Sequence, residues 1–207
     1  MEVVSFTVGS FAVNNYLLFS PESRQAILID AGEDVSEILD KISQLNLTLL
    51  YLINTHGHAD HIAGNRKIVS ETGARILIHE LDAPFLSDPA LNLSAYFSAP
   101  LQSPAAARYL KHGEDIHLNG EALQVRHTPG HTPGHISLIT GDCAFVGDLI
   151  FQSSIGRTDF PFASAQKLVS SIRSEIYSLP DETLLYPGHG PVTTVGQEKR
   201  SNPFVSI

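Results

Sequence analysis

The chain contains the stretch THGHADH at residues 55–61. This stretch follows the apolar run 49–53, which has the length of a buried strand. Four potential metal ligands lie within six residues: His56, His58, Asp60 and His61. Imidazole nitrogen and carboxylate oxygen suit zinc, iron or manganese, and the lack of thiolates argues against a closed structural zinc site. We therefore predict a metal-binding segment at a strand end, rather than a polar loop that is merely rich in histidine.

The spacing within this stretch divides the four residues between two ions. If residues 56 and 58 lie on a strand, their side chains point to the same side and can share one ion. Asp60 and His61 lie past the expected bend and can reach a second ion.

Three further ligands follow later apolar runs. His131 lies in RHTPGHTPGHIS (126–137), Asp148 in AFVGDLIF (144–151) and His189 in YPGHGPV (186–192). In each case a glycine precedes the ligand, and strand ends are where a rigid scaffold presents chemistry. His127 and His135 flank His131, and we interpret them as supporting residues rather than ligands.

The remaining histidines and the cysteine have no such context. We read His79, His112 and His117 as ordinary residues, and Cys143 as a core strand residue rather than a nucleophile. As the single cysteine, it also excludes an internal disulfide.

Composition restricts the partners of the chain. The 207 residues are 43% hydrophobic, which fits one domain spanning residues 1–207 and excludes a wholly disordered chain. Thirteen Lys and Arg against 22 Asp and Glu give a net charge of −9, without a basic run. Nucleic acid and membrane surfaces are therefore poor partners.

The first residues resemble neither a signal peptide nor a membrane span, so we expect a cytoplasmic protein. The oligomeric state is not determined by the sequence.

Hydrophobic periodicity predicts the order of the elements. Strands fill the first 30 residues, and a helix over 34–45 has Asp34 as its N-cap. The later predictions are a strand (49–53), a helix from about 61 to Gly73, a strand (75–79), a short helix (80–86), strands within 116–146, a helix (164–177) and a strand (183–186). This doubled order predicts two sheets packed face to face with helices outside. Residues 87–107 lack periodicity and form either a functional loop or a plain connector.

In this order, HGHADH, TPGH, GD and PGHG resemble the metallo-β-lactamase fold superfamily over nearly the whole chain. The resemblance implies an α+β fold, a four-layer αβ/βα sandwich with two central mixed sheets and a metal site along their edge. It also implies two divalent ions, with zinc expected first and iron or manganese also accommodated. The first ion would be held by His56, His58 and His131, the second by Asp60, His61 and His189, and Asp148 would bridge them.

Two longer segments resemble one branch of that superfamily. They are GDLIFQSSIGRTDFPFAS (147–164) and PGHGPVTTVGQEKRSNPF (187–204), and they are similar to small bacterial glyoxalase II-like proteins. The larger hydroxyacylglutathione hydrolases carry a C-terminal helical domain that contacts glutathione. Since 18 residues follow His189, we expect that domain to be absent. The resemblance implies a hydrolase that cleaves a small thioester, such as S-lactoylglutathione, by a metal-bridging hydroxide that Asp60 and Asp148 orient.

The same resemblance suggests the substrate-binding residues. Arg157 falls where larger enzymes carry a basic residue that binds the thiol carrier, although it could equally form a structural pair with Asp159. Tyr96 and Phe97 could cover the acyl chain and exclude water.

Parts of the sequence also bear on other activities of the superfamily. Zinc β-lactamases commonly carry cysteine where this chain has Asp148, which argues against antibiotic hydrolysis. RNA-processing members share the HxHxDH pattern, but the acidic balance argues against them. The string GRTDF (156–160) also occurs in mono-iron persulfide dioxygenases, whose ligands would map onto His56, His131 and Asp148. A metal-bound sensor or binding module without turnover is the third alternative.

Overall fold

Two six-stranded sheets form the framework of the molecule. The structure is a computed structural model that describes residues 1–97 and 99–206, without the side chain of Phe97. The first sheet contains, in spatial order, β1 (Glu2–Val8), β2 (Val13–Phe19), β3 (Gln25–Ile29), β4 (Thr48–Ile53), β5 (Arg75–His79) and β6 (Arg108–Leu110). Its first three strands are antiparallel, and β3 to β6 run parallel.

The second sheet is also mixed. Its spatial order is β14 (Thr193–Thr194), β13 (Leu184–Pro187), β10 (Cys143–Gly147), β9 (Ile136–Thr140), β8 (Glu121–His127) and β7 (Asp115–Leu118). Only β10 and β13 pair in parallel; the other neighbours are antiparallel. A two-stranded hairpin, β11 (Ile150–Phe151) with β12 (Ser154–Ile155), follows β10.

Helices cover the outer faces of both sheets. They are α1 (Ser36–Gln44), α2 (Ala59–Ile62) and α3 (Asn65–Thr72) on the first sheet, and α5 (Ala165–Ser171) and α6 (Val195–Ser201) on the second. A 3₁₀ turn at Ala83–Leu86 and the short helix α4 (Ser94–Phe97) lie in the connection between β5 and β6. In the part of the chain that the structure describes, no helix is both long and apolar enough to cross a membrane.

Three apolar clusters separate the four layers. On β2, Leu17 packs outward under α1 and α3, whereas Leu18 packs inward between the sheets. The third cluster lies between the second sheet and α5, with Leu168 fully buried. This alternation follows from the two-residue period of a strand, so each sheet is apolar on both faces. The α+β sandwich with two mixed sheets is confirmed.

Near the HGHADH stretch, the predicted strand 49–53 agrees with β4, but two local details differ. Residues 56 and 58 lie between β4 and α2, so the strand geometry considered for them does not apply. The predicted helix from 61 to 73 is two helices, separated at Gly64. A Cβ atom at Gly64 would lie 2.5 Å from the carbonyl oxygen of Gly32, so only glycine permits this close approach.

Other differences concern helix ends and short elements. Helix α1 begins at Ser36 with Val35 at the N-cap, and Asp34 instead accepts a hydrogen bond from the Ser36 amide. Residues 80–86 contain only the 3₁₀ turn, and residues 87–107 contain the short helix α4. After α5 the chain continues as a π-helical turn at Ile172–Ile176.

Candidate metal centre

The predicted ligands meet along one edge of the two sheets, five of them in loops and two, Asp60 and His61, on α2. His56, His58, Asp60 and His61 follow β4 or begin α2, His131 lies between β8 and β9, Asp148 follows β10, and His189 follows β13. The loop of His189 is tied to the first sheet, because the amide of Asn14 on β2 donates to the Gly188 carbonyl at 2.7 Å. Both sheets therefore position the same group of side chains.

The structure brings these seven side chains together, and we call them the ligand cluster. Their nitrogen and oxygen atoms form three overlapping groups whose donor atoms lie within 4.8 Å of one another. The groups are His56, His58 and His131; His56, His61 and Asp148; and Asp60, His61 and His189. Asp148 lies between the two ends, with Oδ1 3.3 Å from His61 Nε2 and Oδ2 3.5 Å from His131 Nε2.

Three histidine rings of the cluster are oriented by hydrogen bonds at the ring nitrogen that faces away from the cluster, the outer nitrogen. Nδ1 of His61 lies 2.8 Å from Asp30 Oδ2, Nδ1 of His131 lies 2.8 Å from the Arg157 carbonyl, and Nδ1 of His189 lies 3.0 Å from the Phe11 carbonyl. Because these partners are acceptors, Nδ1 carries a proton and Nε2 holds the lone pair of the neutral ring. Metal-ligating histidines show the same arrangement, with the outer N–H held by an oxygen.

His56 provides the sharpest test of whether a cation fits. The Thr55 hydroxyl donates to Asp30 Oδ2 at 2.8 Å, so it accepts from the Nδ1–H of His56 at 3.1 Å. Nε2 of His56 is therefore unprotonated in the neutral ring, and this fully buried atom has no hydrogen-bond partner. A buried lone pair without a partner is costly. A divalent cation among these nitrogen and oxygen donors would satisfy it.

Electrostatics divide the cluster into two halves. Burial lowers the pKa of His58 to about 3, with a further contribution from His131. Burial alone would also lower the pKa of His61, but Asp148 and Asp60 raise it well above its usual value. Burial acts to raise the pKa of Asp148, yet His61 holds it well below the usual range. Asp148 is therefore ionised at neutral pH, and a cation would take the place of the proton on His61.

Two buried carboxylates that the sequence analysis did not single out support this centre. Asp30 accepts from the amide and hydroxyl of Thr55 and lies against His61. Its sequence signal was available, because it follows the apolar run 26–29 just as the ligands follow theirs. Asp82 accepts from the Gly57 amide at 3.0 Å, the Thr132 hydroxyl at 2.6 Å and the Gly134 amide at 2.6 Å. It joins the loop of His58 to the loop of His131.

The other histidines lie outside these donor groups. His135 is fully buried, with Nδ1 2.9 Å from the Thr128 hydroxyl and its ring 5.5 Å from that of His56. His127 stacks on His79 at 4.1 Å, and its Nε2 lies 2.9 Å from the Pro133 carbonyl. The supporting role of His127 and His135 remains a prediction.

A cavity of about 350 Å³ opens directly onto the ligand cluster. The residues that line it and lie outside the cluster are Phe11, Ala59, Asn92, Leu93, Ser94, Phe151, Arg157 and Phe160. Arg157 donates to Asp159 through Nε at 2.9 Å and Nη2 at 2.7 Å, and its guanidinium carbon lies 4.3 Å from the centre of the Phe160 ring.

The two predicted aromatic residues are placed differently. Tyr96 is 68% exposed and is not among the cavity-lining residues. The side chain of Phe97 lies outside the described part of the chain.

The sandwich, with histidines and aspartates clustered at its edge, places the chain in the class of metallo-hydrolases. The chain belongs to the metallo-beta-lactamase superfamily, because the model of the "Metallo-beta-lactamase superfamily" matches residues 8–189. This confirms the family resemblance seen in the motifs.

Similar proteins carry different names within this superfamily. "Hydroxyacylglutathione hydrolase GloC" of Haemophilus influenzae is 37% identical over 210 residues, covering 100% of this chain and 99% of that protein. The crystal structure of "BLEG-1 B3 metallo-beta-lactamase" has a TM-score of 0.93 at 32% identity and full coverage of both chains. The crystal structure of TTHA1623 "in a di-iron-bound form" has a TM-score of 0.87 at 36% identity, covering 98% of this chain and 100% of that one.

Proposed function

We propose that this protein is a glyoxalase II-like hydrolase that cleaves thioesters at a centre for two divalent ions. The observation that carries the proposal is the ligand cluster, in which outer hydrogen bonds leave inner lone pairs directed at shared space. The similarity to the hydrolase named GloC supports a thioester as substrate. A small-molecule substrate and a cytoplasmic location are part of this proposal.

Each residue of the cluster has a distinct proposed task. His56, His58 and His131 would hold one ion, Asp60, His61 and His189 the other, and Asp148 both. Two such ions provide a Lewis acid for a carbonyl oxygen and make water nucleophilic near neutral pH. Zinc is the first candidate, and the di-iron form of TTHA1623 makes iron a second.

Asp60 and Asp148 are the proposed catalytic residues. Both line the cavity, where Asp60 Oδ2 lies 3.3 Å from His189 Nε2. An ionised carboxylate at this position accepts a hydrogen bond from the attacking water and so orients it. In the reaction, a new bond forms between the carbonyl carbon and the water oxygen, and the C–S bond breaks. The thiolate is the leaving group and takes up a proton from the attacking water. The acyl group is released as the carboxylic acid.

Recognition of the thiol carrier is assigned to Arg157. Its side chain is 63% exposed while it lines the cavity, and its present partner Asp159 is 65% exposed. An exposed ion pair of this kind contributes little to stability. A carboxylate of the carrier can therefore replace Asp159, since the planar fork of arginine suits it. Tyr96 and Phe97 remain candidates for covering a bound substrate.

A substrate panel tests the proposal. The protein is loaded with Zn²⁺ or Fe²⁺, and the hydrolysis of S-lactoylglutathione is followed together with the hydrolysis of a β-lactam. Oxygen uptake with glutathione persulfide is measured in parallel. We expect thioester hydrolysis with kcat/KM well above that for the β-lactam, and no oxygen uptake. Oxygen uptake without hydrolysis would favour the persulfide dioxygenase, and inactivity in all three assays would favour a sensor.

A further inference from the structure

The cavity beside the ligand cluster is built from apolar side chains. Phe11, Leu93, Phe151 and Phe160 line it together with Ala59. Leu93 is 8% exposed, whereas Phe11 is 56% exposed. Three aromatic rings and a leucine around one reactive centre offer a large apolar contact area to a ligand.

The polar side chains of the cavity outside the cluster already take part in hydrogen bonds. Asn92 is fully buried; its amide nitrogen donates to the carbonyls of Phe85 and Leu101, and its oxygen accepts from the Ser94 amide. The Ser94 hydroxyl accepts from the Leu101 amide at 2.9 Å. Among the described lining residues outside the ligand cluster, Arg157 at the exposed side is the remaining polar group, and it is paired with Asp159.

A polar acyl arm would therefore lose its water and, away from the ligand cluster, find few hydrogen-bond partners inside the cavity. Such burial is unfavourable, because an unpaired polar group retains its full desolvation cost. An apolar ligand loses no hydrogen bonds and gains contact with the aromatic rings. The volume of about 350 Å³ lies near the lower end of the range for small-molecule sites.

We infer that the apolar cavity takes the acyl arm of the substrate, and that the preferred substrates are thioesters of aliphatic or aryl acids rather than of a hydroxy acid such as lactate. This inference rests on the proposed thioester hydrolysis. The acyl arm is assigned because common thiol carriers are peptides or phosphorylated amides, which are polar. Their polar groups are better placed at the exposed side of the cavity, where Arg157 lies.

The test uses a neutral carrier, so that only the acyl chain varies. Acetyl, butanoyl and hexanoyl thioesters of N-acetylcysteamine are compared with the lactoyl thioester, using the Zn²⁺-loaded protein. Since a buried methylene contributes ~0.8 kcal/mol, kcat/KM should rise roughly fourfold per methylene. Phe160→Ala should flatten this rise, and Phe160→Leu should restore much of it. Phe162→Ala is the matched control: this ring lies in the same loop, is 66% exposed and is not a lining residue.

The outcomes separate this inference from the proposed function. If acetyl and lactoyl thioesters are hydrolysed but kcat/KM does not rise with chain length, the inference is overturned and thioester hydrolysis stands. If no thioester is hydrolysed, the proposed function fails, and the preference for acyl substrates fails with it. Calorimetry with S-hexyl-N-acetylcysteamine, a thioether that cannot be hydrolysed, gives an independent measurement. A negative heat-capacity change that is smaller in Phe160→Ala is expected, and equal values in both proteins would contradict apolar binding.

Discussion

Asp82 shows how a single buried residue can hold a metal centre without belonging to it. Its two carboxylate oxygens receive three hydrogen bonds from the loops that carry His58 and His131. Nothing in the sequence around position 82 marks this role, because the three donors are up to 52 positions away along the chain. Asp30 was also missed, although its position at the end of an apolar run is a local signal. Contacts of this long-range kind are visible only after the chain has folded.

The pKa of Asp82 leads to a prediction at this scale. Burial raises this pKa to about 6, despite hydrogen bonds from Thr132, Gly134 and Gly57 that lower it. Because the folded-state pKa lies above the unfolded value of 3.8, the contribution to stability is complete below about pH 4 and is lost as the pH rises through 6. From pH 4 to pH 7, the wild type should therefore lose up to ~3 kcal/mol of unfolding free energy relative to Asp82→Asn.

Denaturant unfolding of both metal-free proteins at the two pH values measures this difference, since bound cations would themselves lower the pKa. Thr132→Val removes one donor and should move the transition to higher pH. A pH-independent difference between the wild type and Asp82→Asn would show that the carboxyl group does not titrate in this range.

Arg157 gives a second prediction at the residue scale. Replacement by alanine keeps the backbone carbonyl that orients His131 but removes the guanidinium group. If Arg157 binds the carrier, Arg157→Ala should lower kcat/KM about tenfold for a glutathione thioester and much less for a short neutral thioester. Asp159→Ala is the matched control, because it frees the guanidinium group and should preserve activity towards the glutathione thioester. Equal loss for both substrates, together with lower thermal stability in both variants, would assign Arg157 a structural role.

At the scale of elements, the loop after β13 shows what a ligand-bearing turn requires. A Cβ atom on Gly188 would lie 2.3 Å from Asp148 Oδ1 and 2.7 Å from the His61 ring. Gly190, two residues further on, has open space around it, although its φ of +75° disfavours other residues. Glycine is thus needed at the two positions for different physical reasons, steric at the first and conformational at the second.

This difference predicts distinct effects of two neighbouring substitutions. Gly190→Ala should cost roughly 1–2 kcal/mol of stability, as expected for a left-handed backbone, but should retain full metal content. Gly188→Ala should cost about 1–3 kcal/mol through overpacking and should also reduce bound metal. Thermal unfolding and metal analysis of both variants test this. Full metal content in Gly188→Ala would mean that the cluster relaxes around the added methyl group.

The secondary structure that could be predicted is the part with strong local periodicity. The long strands show a two-residue period and α1 a helical period, and their apolar side chains are buried as expected. The break at Gly64 was missed because its cause is a close approach to Gly32, not a local signal. Strand β6 was missed because its three residues are defined by parallel pairing with β5. Short elements of this kind depend on neighbours that are distant in sequence.

At the scale of the whole molecule, the centre is a product of both halves of the sandwich. The first sheet supplies His56, His58, Asp60 and His61, and the second supplies His131, Asp148 and His189. The order of the motifs and the family resemblance were sufficient to propose all seven. The packed structure was needed to identify the nitrogen of each ring that faces the cluster. It was also needed to identify the oxygen atom that binds the opposite nitrogen.

The shared position of Asp148 predicts how two variants differ in metal content. Asp60→Ala should lose most hydrolysis while retaining one ion, because the proposal assigns this carboxylate to the second ion alone. Asp148→Ala should lower the affinity for both ions, because this carboxylate lies near His61 at one end and His131 at the other. Metal content is measured by mass spectrometry after dialysis against a weak chelator. Equal content in the two variants would contradict this division of roles.

The most direct test of the two-ion account is a metal titration of the wild-type protein with thioester hydrolysis as the readout. Metal-free protein receives increasing Zn²⁺, and after removal of free metal the bound ions per chain and kcat are determined on the same samples. The cluster predicts two ions per chain at saturation, with full activity reached only as the second ion binds. Full activity in a preparation that never holds more than one ion per chain would contradict the two-ion centre and favour a mononuclear site.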